Sequence, residues 1–462
     1  MTTERVTLER RLANFRATLT QGGAPLDGRA EPSRRPPADL AARMADGLDG
    51  EVVREPRGTY VRVESPTLAL RIDRERLAGL PGQPPAGVPL VCLDTETTGL
   101  GTAAGTYAFL VGLGWWEGDR FRTIQLLLPD QPDEPALLAS IARHIPAHGW
   151  LVSYNGRGFD WPLLVTRYRM AGHDAPAHAG HLDLLPFVRR LFRHRLPDAR
   201  LRSVEEGLLG VERHEDVEGW EIPGRYLDFL RTGHPAPLVA VARHNADDVR
   251  SLARLLGLIE ACLGDDDARR AADPGDVAGL ARLFLRERRL EAALECFEAA
   301  LAIRPSPPGA PRGEEPDDEW WSPRRSADFG GRPARPPTPS SALLTMPWSE
   351  ERLLVERAHV LRRLGRIDDA AETWANLALG TSRLSAVASV ELAKLREHRL
   401  GDIAGALGAV RRGWGIVERR RRIGRPEERL ESDLIRRGAR LRDRLASPGA
   451  PSKRRPAVAA GP

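Results

Sequence analysis

Residues 91–100 read VCLDTETTGL. The apolar run Val91, Cys92 and Leu93 leads into Asp94, Thr95 and Glu96, then into Thr97, Thr98 and Gly99. A short apolar run closed by turn residues reads as a buried strand. Side chains alternate along a strand, so Asp94 and Glu96 project from the same face. Two carboxylates side by side at the end of a buried strand repel each other and resist desolvation. A divalent cation would neutralise them. The plainer alternative is an acidic strand end before a glycine turn.

Outward from this strand the pattern stays orderly. Segments 88–96, 106–115 and 121–128 read as three strands of a meander, the last two joined at Glu117, Gly118 and Asp119. Segment 134–145 carries Leu137, Leu138, Ile141 and Ile145 at helical spacing. Segment 151–154 reads as a short fourth strand. Helices are expected at 159–170, 184–192, 203–209, 223–231 and about 236–262. Periodicity alone therefore gives an α/β domain. Upstream, GEVVREPRGTYVRVE at 50–64 has two β-rich arms around Pro56, Arg57 and Gly58, which signals a hairpin. It is expected to pack on the α/β domain or to form a small lead-in. Its Arg54, Arg57 and Arg62 read first as a solvated face, with a nucleic-acid contact as the alternative.

With 462 residues, the chain has room for two or three domains. Its 41% hydrophobic and 29% charged content suits a soluble globular protein with some open segments. No run of about 18 apolar residues appears, so no transmembrane helix is expected. The start, MTTERVTLERR, lacks an apolar core and is not expected to act as a secretory signal. Cys92, Cys262 and Cys296 are far apart and make neither a metal spacing nor a disulfide framework, which fits a reducing cytoplasm. A net charge of +5 is compatible with a polyanionic partner.

Two further stretches complete a carboxylate set. YNGRGFDWPLL at 154–164 ends a strand at Asn155 and Gly156 and starts a helix at Asp160. HNADDV at 244–249 lies on the long helix, where His244 and Asp248 share a face one turn apart. Asp94, Glu96, Asp160 and Asp248 then form a hard oxygen donor set of the kind that Mg²⁺ prefers. Two such ions about 3.5–4 Å apart activate a water and stabilise the leaving oxygen of a displacement at phosphorus. Histidine titrates near neutral pH, so His244 is a candidate general base.

DTETTGL, NGRGFD and HNADD resemble, in this order, the three exonuclease motifs of the DEDD superfamily. More closely, DTETTGLGTAAGTYAFLVGLG, VSYNGRGFDWPLL, HLDLLPFVRRLF (181–192) and HNADDV resemble the bacterial YprB-like ribonuclease H-fold family. The resemblance covers about residues 50–262. It implies a ribonuclease H-like fold, a divalent-metal site of two Mg²⁺ or Mn²⁺ ions, and 3′-to-5′ exonuclease activity on single-stranded DNA or RNA. The four acids match its metal-binding positions. One departure concerns His244. The histidine branch of the superfamily places its His five residues before the last Asp. Here the spacing is four, the position of a Tyr in the other branch, so a supporting role for His244 stays open.

Around this set, Asp183 reads as a helix N-cap or as an acid supporting the site. Thr97, Asn155 and Arg157 are candidates for contact with the sugar or phosphate of a substrate. Tyr107 and Trp161 are candidate stacking platforms for bases. Phe109 reads as core.

Past 265 the chain turns helical. Residues 274–305, 351–382 and, more loosely, 387–414 follow the tetratricopeptide repeat pattern, with about three copies needed to bury a shared core. By resemblance such repeats present a groove to a protein partner; bracing the α/β domain is the alternative. The basic run at 418–425 reads as a solvated helix face. The expected organisation is an Arg/Pro-rich disordered segment at 1–49, with a short helix near 40–48, and an exonuclease domain with its hairpin at 50–265. Helical repeats follow at 270–445, interrupted by a disordered insert at 306–349 that carries Trp320 and Trp321. An open tail with Lys453, Arg454 and Arg455 occupies 446–462. The competing functional reading is a scaffold that grips nucleic acid without cutting it and recruits a partner. A nuclease acting on internal structures is disfavoured by the exonuclease-type first motif.

Overall fold

The structure, a computed structural model, describes residues 39–99, 105–213, 216–303 and 349–446. The expectations for the insert with Trp320 and Trp321, for the tail, and for all of the Arg/Pro-rich start up to residue 38 lie outside the described residues.

A seven-stranded sheet runs in the order β1-β2-β5-β4-β3-β6-β7. The strands are β1 (Glu51–Glu55), β2 (Gly58–Ala69), β3 (Leu90–Thr97), β4 (Ala108–Glu117), β5 (Arg120–Leu127), β6 (Trp150–Ser153) and β7 (Gly180–Asp183). β3, β4 and β5 form the expected antiparallel meander, while β6 and β7 add to β3 in parallel. This mixed sheet has the expected ribonuclease H-like architecture. Two placements depend on pairing with distant parts of the chain. The 50–64 hairpin is no separate lead-in, because β2 pairs along β5 and extends the same sheet. β7 has no counterpart in the reading of the sequence, which starts only the following helix, at Leu184; four residues are too few to show alternation, and pairing with β6 makes them a strand.

Helices cover both faces. They are α1 (Leu40–Leu48), α2 (Arg74–Ala78), α3 (Glu134–His144), α4 (Asp160–Met170), α5 (Leu184–Leu191), α6 (Leu201–Val204), α7 (Ile222–Thr232) and α8 (Ala236–Leu263). Alternation along β3 divides the interior. Val91 and Leu93 enter one core with Phe109, Tyr226 and the start of α8 (Leu238, Val241); Leu90 and Cys92 enter the other with Val249 to Leu263. At 28 residues, α8 is long enough to serve both, and the 244–248 segment lies where it passes from one to the other.

The chain continues as α9 (Asp266–Ala271), α10 (Pro274–Arg286), α11 (Leu290–Ala302), α12 (Glu350–Arg363), α13 (Ile367–Leu377), α14 (Arg383–Leu395), α15 (Ile403–Arg422) and α16 (Glu428–Ala446). Buried residues of these helices, such as Leu280, Phe284 and Trp374, join the core that holds Cys92 and Phe187, so one apolar interior runs from the sheet into the helical part.

α8 approaches the sheet closely because β4 carries glycine beneath it. A Cβ at Gly112 would stand 2.3 Å from Asn245 Oδ1 and 2.8 Å from Val249 Cγ2. Neither neighbour can retreat: Asn245 is fully buried and hydrogen-bonded, and Val249 is core. Gly112→Ala is therefore expected to lose about 1–3 kcal/mol by overpacking. Nothing lies within 4 Å of a Cβ at Gly408, inside α15. Gly408→Ala is expected to be neutral or to gain up to about 1 kcal/mol. Urea denaturation of the pair checks both.

Candidate functional site

At its end β3 stops being apolar while still shielded from water. Asp94 and Glu96 continue the face of Leu90 and Cys92, which α8 covers. Asn245 on α8 donates through Nδ2 to Asp94 Oδ2 at 2.8 Å and accepts at Oδ1 from Gln125 Nε2 at 2.9 Å. That chain of amides fixes α8 against the strand and aims the Asp94 carboxylate. Asp160 opens α4 and is 6% exposed; the Thr95 hydroxyl donates to its Oδ1 at 2.5 Å.

The electrostatics follow from this crowding. Burial, then the charges of Asp248 and Asp160, push the Asp94 carboxyl well above the usual carboxylate range, against the bond from Asn245 and the charge of Arg213. Glu96 is raised well above its usual value by burial and then by Asp94, Asp248, Asp160 and Asp216. Asp160 is pushed up to about 6, mainly by burial, against the Thr95 hydrogen bond. The four predicted acids are thus one electrostatically coupled group.

Asp248 faces a cation. The Arg213 guanidinium bonds to Asp248 Oδ1 and to Glu205 Oε1 through the same Nη2, and its Nη1 lies 3.4 Å from Asp216 Oδ2. Its side chain is 7% exposed. Burial opposes the guanidinium charge, but Asp248 and Glu205 more than offset it and raise its pKa. His244 stands one turn from Asp248. Its Nδ1 is 2.7 Å from Asp216 Oδ1, and its Nε2 is 3.9 Å from both Glu96 Oε1 and Asp248 Oδ2. Arg213, Asp216 and Glu205 did not emerge from the sequence. They lie in a π-helical turn (Glu205–Leu209) and the loop after it, which present no spacing that distinguishes them from solvated charges.

The other candidates have mixed placements. Asp183 both caps α5, accepting from Leu185 N at 3.0 Å, and anchors the second motif, accepting from Asn155 N at 2.8 Å and Arg157 N at 3.3 Å. It thereby holds Asn155 in a left-handed conformation (φ 65°), with Asn155 and Arg157 exposed. Thr97 is 8% exposed and its hydroxyl donates to Gly99 O at 2.6 Å, so it ties the turn. The Arg167 guanidinium lies 3.8 Å from the centroid of the Tyr107 ring and occupies a face that a base would need. Trp161 is half-buried, edge-on to His178 at 4.8 Å. Phe109 is core, stacked on Tyr226 at 4.1 Å.

A second group with metal-ligand chemistry joins the end of α5 to α10. His194, Asp273 and Asp276 each offer a ligand atom, all within 4.8 Å of one another. Existing partners already serve much of it. Asp273 Oδ1 accepts from Gly275 N at 2.7 Å and lies 2.7 Å from His194 Nε2, and Asp276 Oδ2 accepts from Arg195 at 2.6 Å. No spacing in the sequence reveals it, because His194 lies about 80 residues before the two aspartates.

Comparison with known proteins bears on the fold. Residues 91–259 match the RNase_H superfamily, to which this part of the chain is similar. Over 215 residues it is 34% identical to the "Uncharacterized protein YprB" of Bacillus subtilis (strain 168). The aligned part is 46% of this chain and 51% of that protein, so the chain spans about half the length of the curated relative it matches. No helix among the described residues is long and apolar enough to cross a membrane.

Proposed function

We propose that this chain is a metal-dependent 3′-to-5′ exonuclease that hydrolyses phosphodiester bonds of single-stranded nucleic acid, using Mg²⁺ or Mn²⁺. One observation carries the reading: Glu96, 12% exposed, is a carboxylate on which burial and four neighbouring carboxylates all act in the same direction. Such crowding is costly unless a cation offsets it. The donor set of Asp94, Glu96, Asp160 and Asp248 is all oxygen, which suits a hard divalent ion. When bound, a pair of such ions supplies an activated water and charge stabilisation at phosphorus. The protein's own part is to hold these four acids together. β3 presents two of them, Thr95 and Asn245 orient Asp160 and Asp94, and α8 brings Asp248 and His244 to the same place. His244 is the candidate base for the attacking water. Exposed Arg157 and Asn155 are candidate contacts for substrate phosphate or sugar. Residues 50–265 form the proposed catalytic unit. The three helical hairpins α10–α11, α12–α13 and α14–α15 are read as tetratricopeptide-like repeats that offer a surface to a protein partner in the cytoplasm.

The test is degradation of 3′- and 5′-labelled single-stranded DNA and RNA with Mg²⁺ or Mn²⁺, wild type beside Asp94→Ala and Asp248→Ala. The expected result is a ladder from the 3′ end that both substitutions abolish. Metal-dependent binding without cleavage by wild type would overturn the reading in favour of a scaffold.

A further inference from the structure

His244 stands four residues before Asp248, not at the five-residue spacing of the histidine branch. What orients its ring must then come from elsewhere, and the loop after the π-helical turn supplies it. Asp216 Oδ1 lies 2.7 Å from His244 Nδ1. Asp216 is itself tied down: the same oxygen accepts from Val217 N at 2.9 Å, and Arg213 Nη1 lies 3.4 Å from Oδ2. Arg213 in turn bonds to Glu205 and Asp248, and Glu205 accepts from Ser251 of α8 at 2.5 Å. The turn and the loop after it are therefore fastened to α8 at His244, Asp248 and Ser251.

Two contacts at His244 Nδ1 demand opposite proton positions. Asp216 accepts only, so its bond needs a proton on Nδ1. Arg213 Nη1, 3.1 Å from the same atom, donates only and would need a lone pair there. The carboxylate contact is shorter and pairs opposite charges, whereas Arg213 has carboxylates to satisfy it; the first wins. With the proton on Nδ1, the neutral ring carries its lone pair on Nε2, the atom 3.9 Å from both Glu96 and Asp248.

We propose that Asp216 is a positioning residue for the candidate base: it holds the His244 ring by Nδ1–H, so that the acceptor nitrogen Nε2 faces the carboxylate group, with Arg213 bracing Asp216. This rests on the nuclease reading for its consequence in catalysis, but the orientation itself does not. The experiment has two arms on the full chain. In the first, ¹⁵N-histidine NMR is recorded without divalent ions, with the pH raised until the His244 signal is that of a neutral ring; His244→Asn assigns that signal. Wild type is expected to show protonated Nδ1 and acceptor Nε2. Asp216→Ala is expected to lose that preference, and Asp216→Glu, which restores a carboxylate, to regain much of it. In the second arm, cleavage kinetics should show kcat falling about 10- to 100-fold in Asp216→Ala, the range for losing an orienting partner of a site residue. KM should stay near wild type, with partial recovery in Asp216→Glu. An unchanged tautomer in Asp216→Ala overturns the proposal whatever the activity. A changed tautomer with no cleavage by wild type upholds the orientation and rejects the nuclease reading instead. Asp216→Ala with an altered tautomer but unchanged kcat overturns the role of Asp216 in catalysis.

Discussion

Glu96→Gln is expected to abolish cleavage while raising the melting temperature of the protein kept free of divalent ions. The two effects share one cause. Burial and the charges of Asp94, Asp248, Asp160 and Asp216 all raise the Glu96 carboxyl. A raised carboxyl binds its proton more tightly in the folded state than in the unfolded chain. Its ionisation therefore costs nothing below the unfolded value, about 4.3 for Glu, and costs stability as pH rises toward and through the folded value. Asp160, pushed up to about 6, adds the same sign between about 4 and 6. Gln removes the Glu96 cost, so its melting temperature should match wild type near pH 4 and exceed it by a growing margin toward neutral pH. Mg²⁺ or Mn²⁺ should stabilise wild type by mass action and leave Glu96→Gln nearly unmoved. Loss of one metal-holding acid, several kcal/mol of transition-state stabilisation, corresponds to about 10³-fold or more in rate. Thermal scans across pH, with and without Mn²⁺, and the labelled-substrate assay check both halves. A Gln variant that cleaves, or that melts below wild type at neutral pH, refutes the assignment of Glu96.

The parts of this architecture that were legible in sequence are those that physics makes local. β3 announced itself because an apolar run ending in Asp94 and Glu96 needs only alternation to place both acids on one face. His244 and Asp248 were legible together because four residues make one turn of helix. The four-residue β7 and the pairing of β2 with β5 were not, since both depend on partners distant in the chain. The same limit hid Asp216 and Arg213. A loop of alternating charges looks solvated until α8 is seen beside it, and nothing in its spacing names His244 as its target. Asn245 lay in plain view inside HNADD, yet its work, reaching Asp94 and Gln125 at once, depends on the bare backbone of Gly112 beneath it. For Thr97 and Tyr107, a polar or aromatic side chain near a site suggested substrate contact, but each has a nearer partner, Gly99 O and Arg167.

Glu397→Ala is expected to be among the most destabilising single changes in the helical part. Glu397 sits in the π-helical turn Arg396–Leu400 that ends α14, and its side chain is 1% exposed. Three arginines of α16 converge on it. Oε2 accepts from Arg437 at 3.0 Å and Arg440 at 2.6 Å; Oε1 accepts from Arg440 at 2.9 Å and Arg444 at 3.1 Å. Burial acts upward on the carboxyl, but the hydrogen bonds and charge of Arg440, aided by His398 and Arg437, hold it below the usual range. The arginines are not equivalent. Arg437 is 9% exposed, whereas Arg440 and Arg444 are 50% and 43% exposed. Removing the carboxylate leaves Arg437 buried with little beyond the 3.8 Å contact to Asp433, and breaking such a buried pair typically costs about 3–5 kcal/mol. Arg444→Ala removes a half-exposed partner while Glu397 keeps two others, so it should cost under about 1 kcal/mol. The sign with pH is opposite to that at Glu96. A lowered carboxyl contributes stability above its unfolded value, about 4.3, and that contribution disappears as pH falls through the folded value. The gap between wild type and Glu397→Ala should therefore narrow on acidification. Urea denaturation at neutral and acidic pH, with hydrogen exchange across α16, measures it. Equal losses from Glu397→Ala and Arg444→Ala would mean that the number of ion pairs, and not the burial of Arg437, sets how firmly α16 is held.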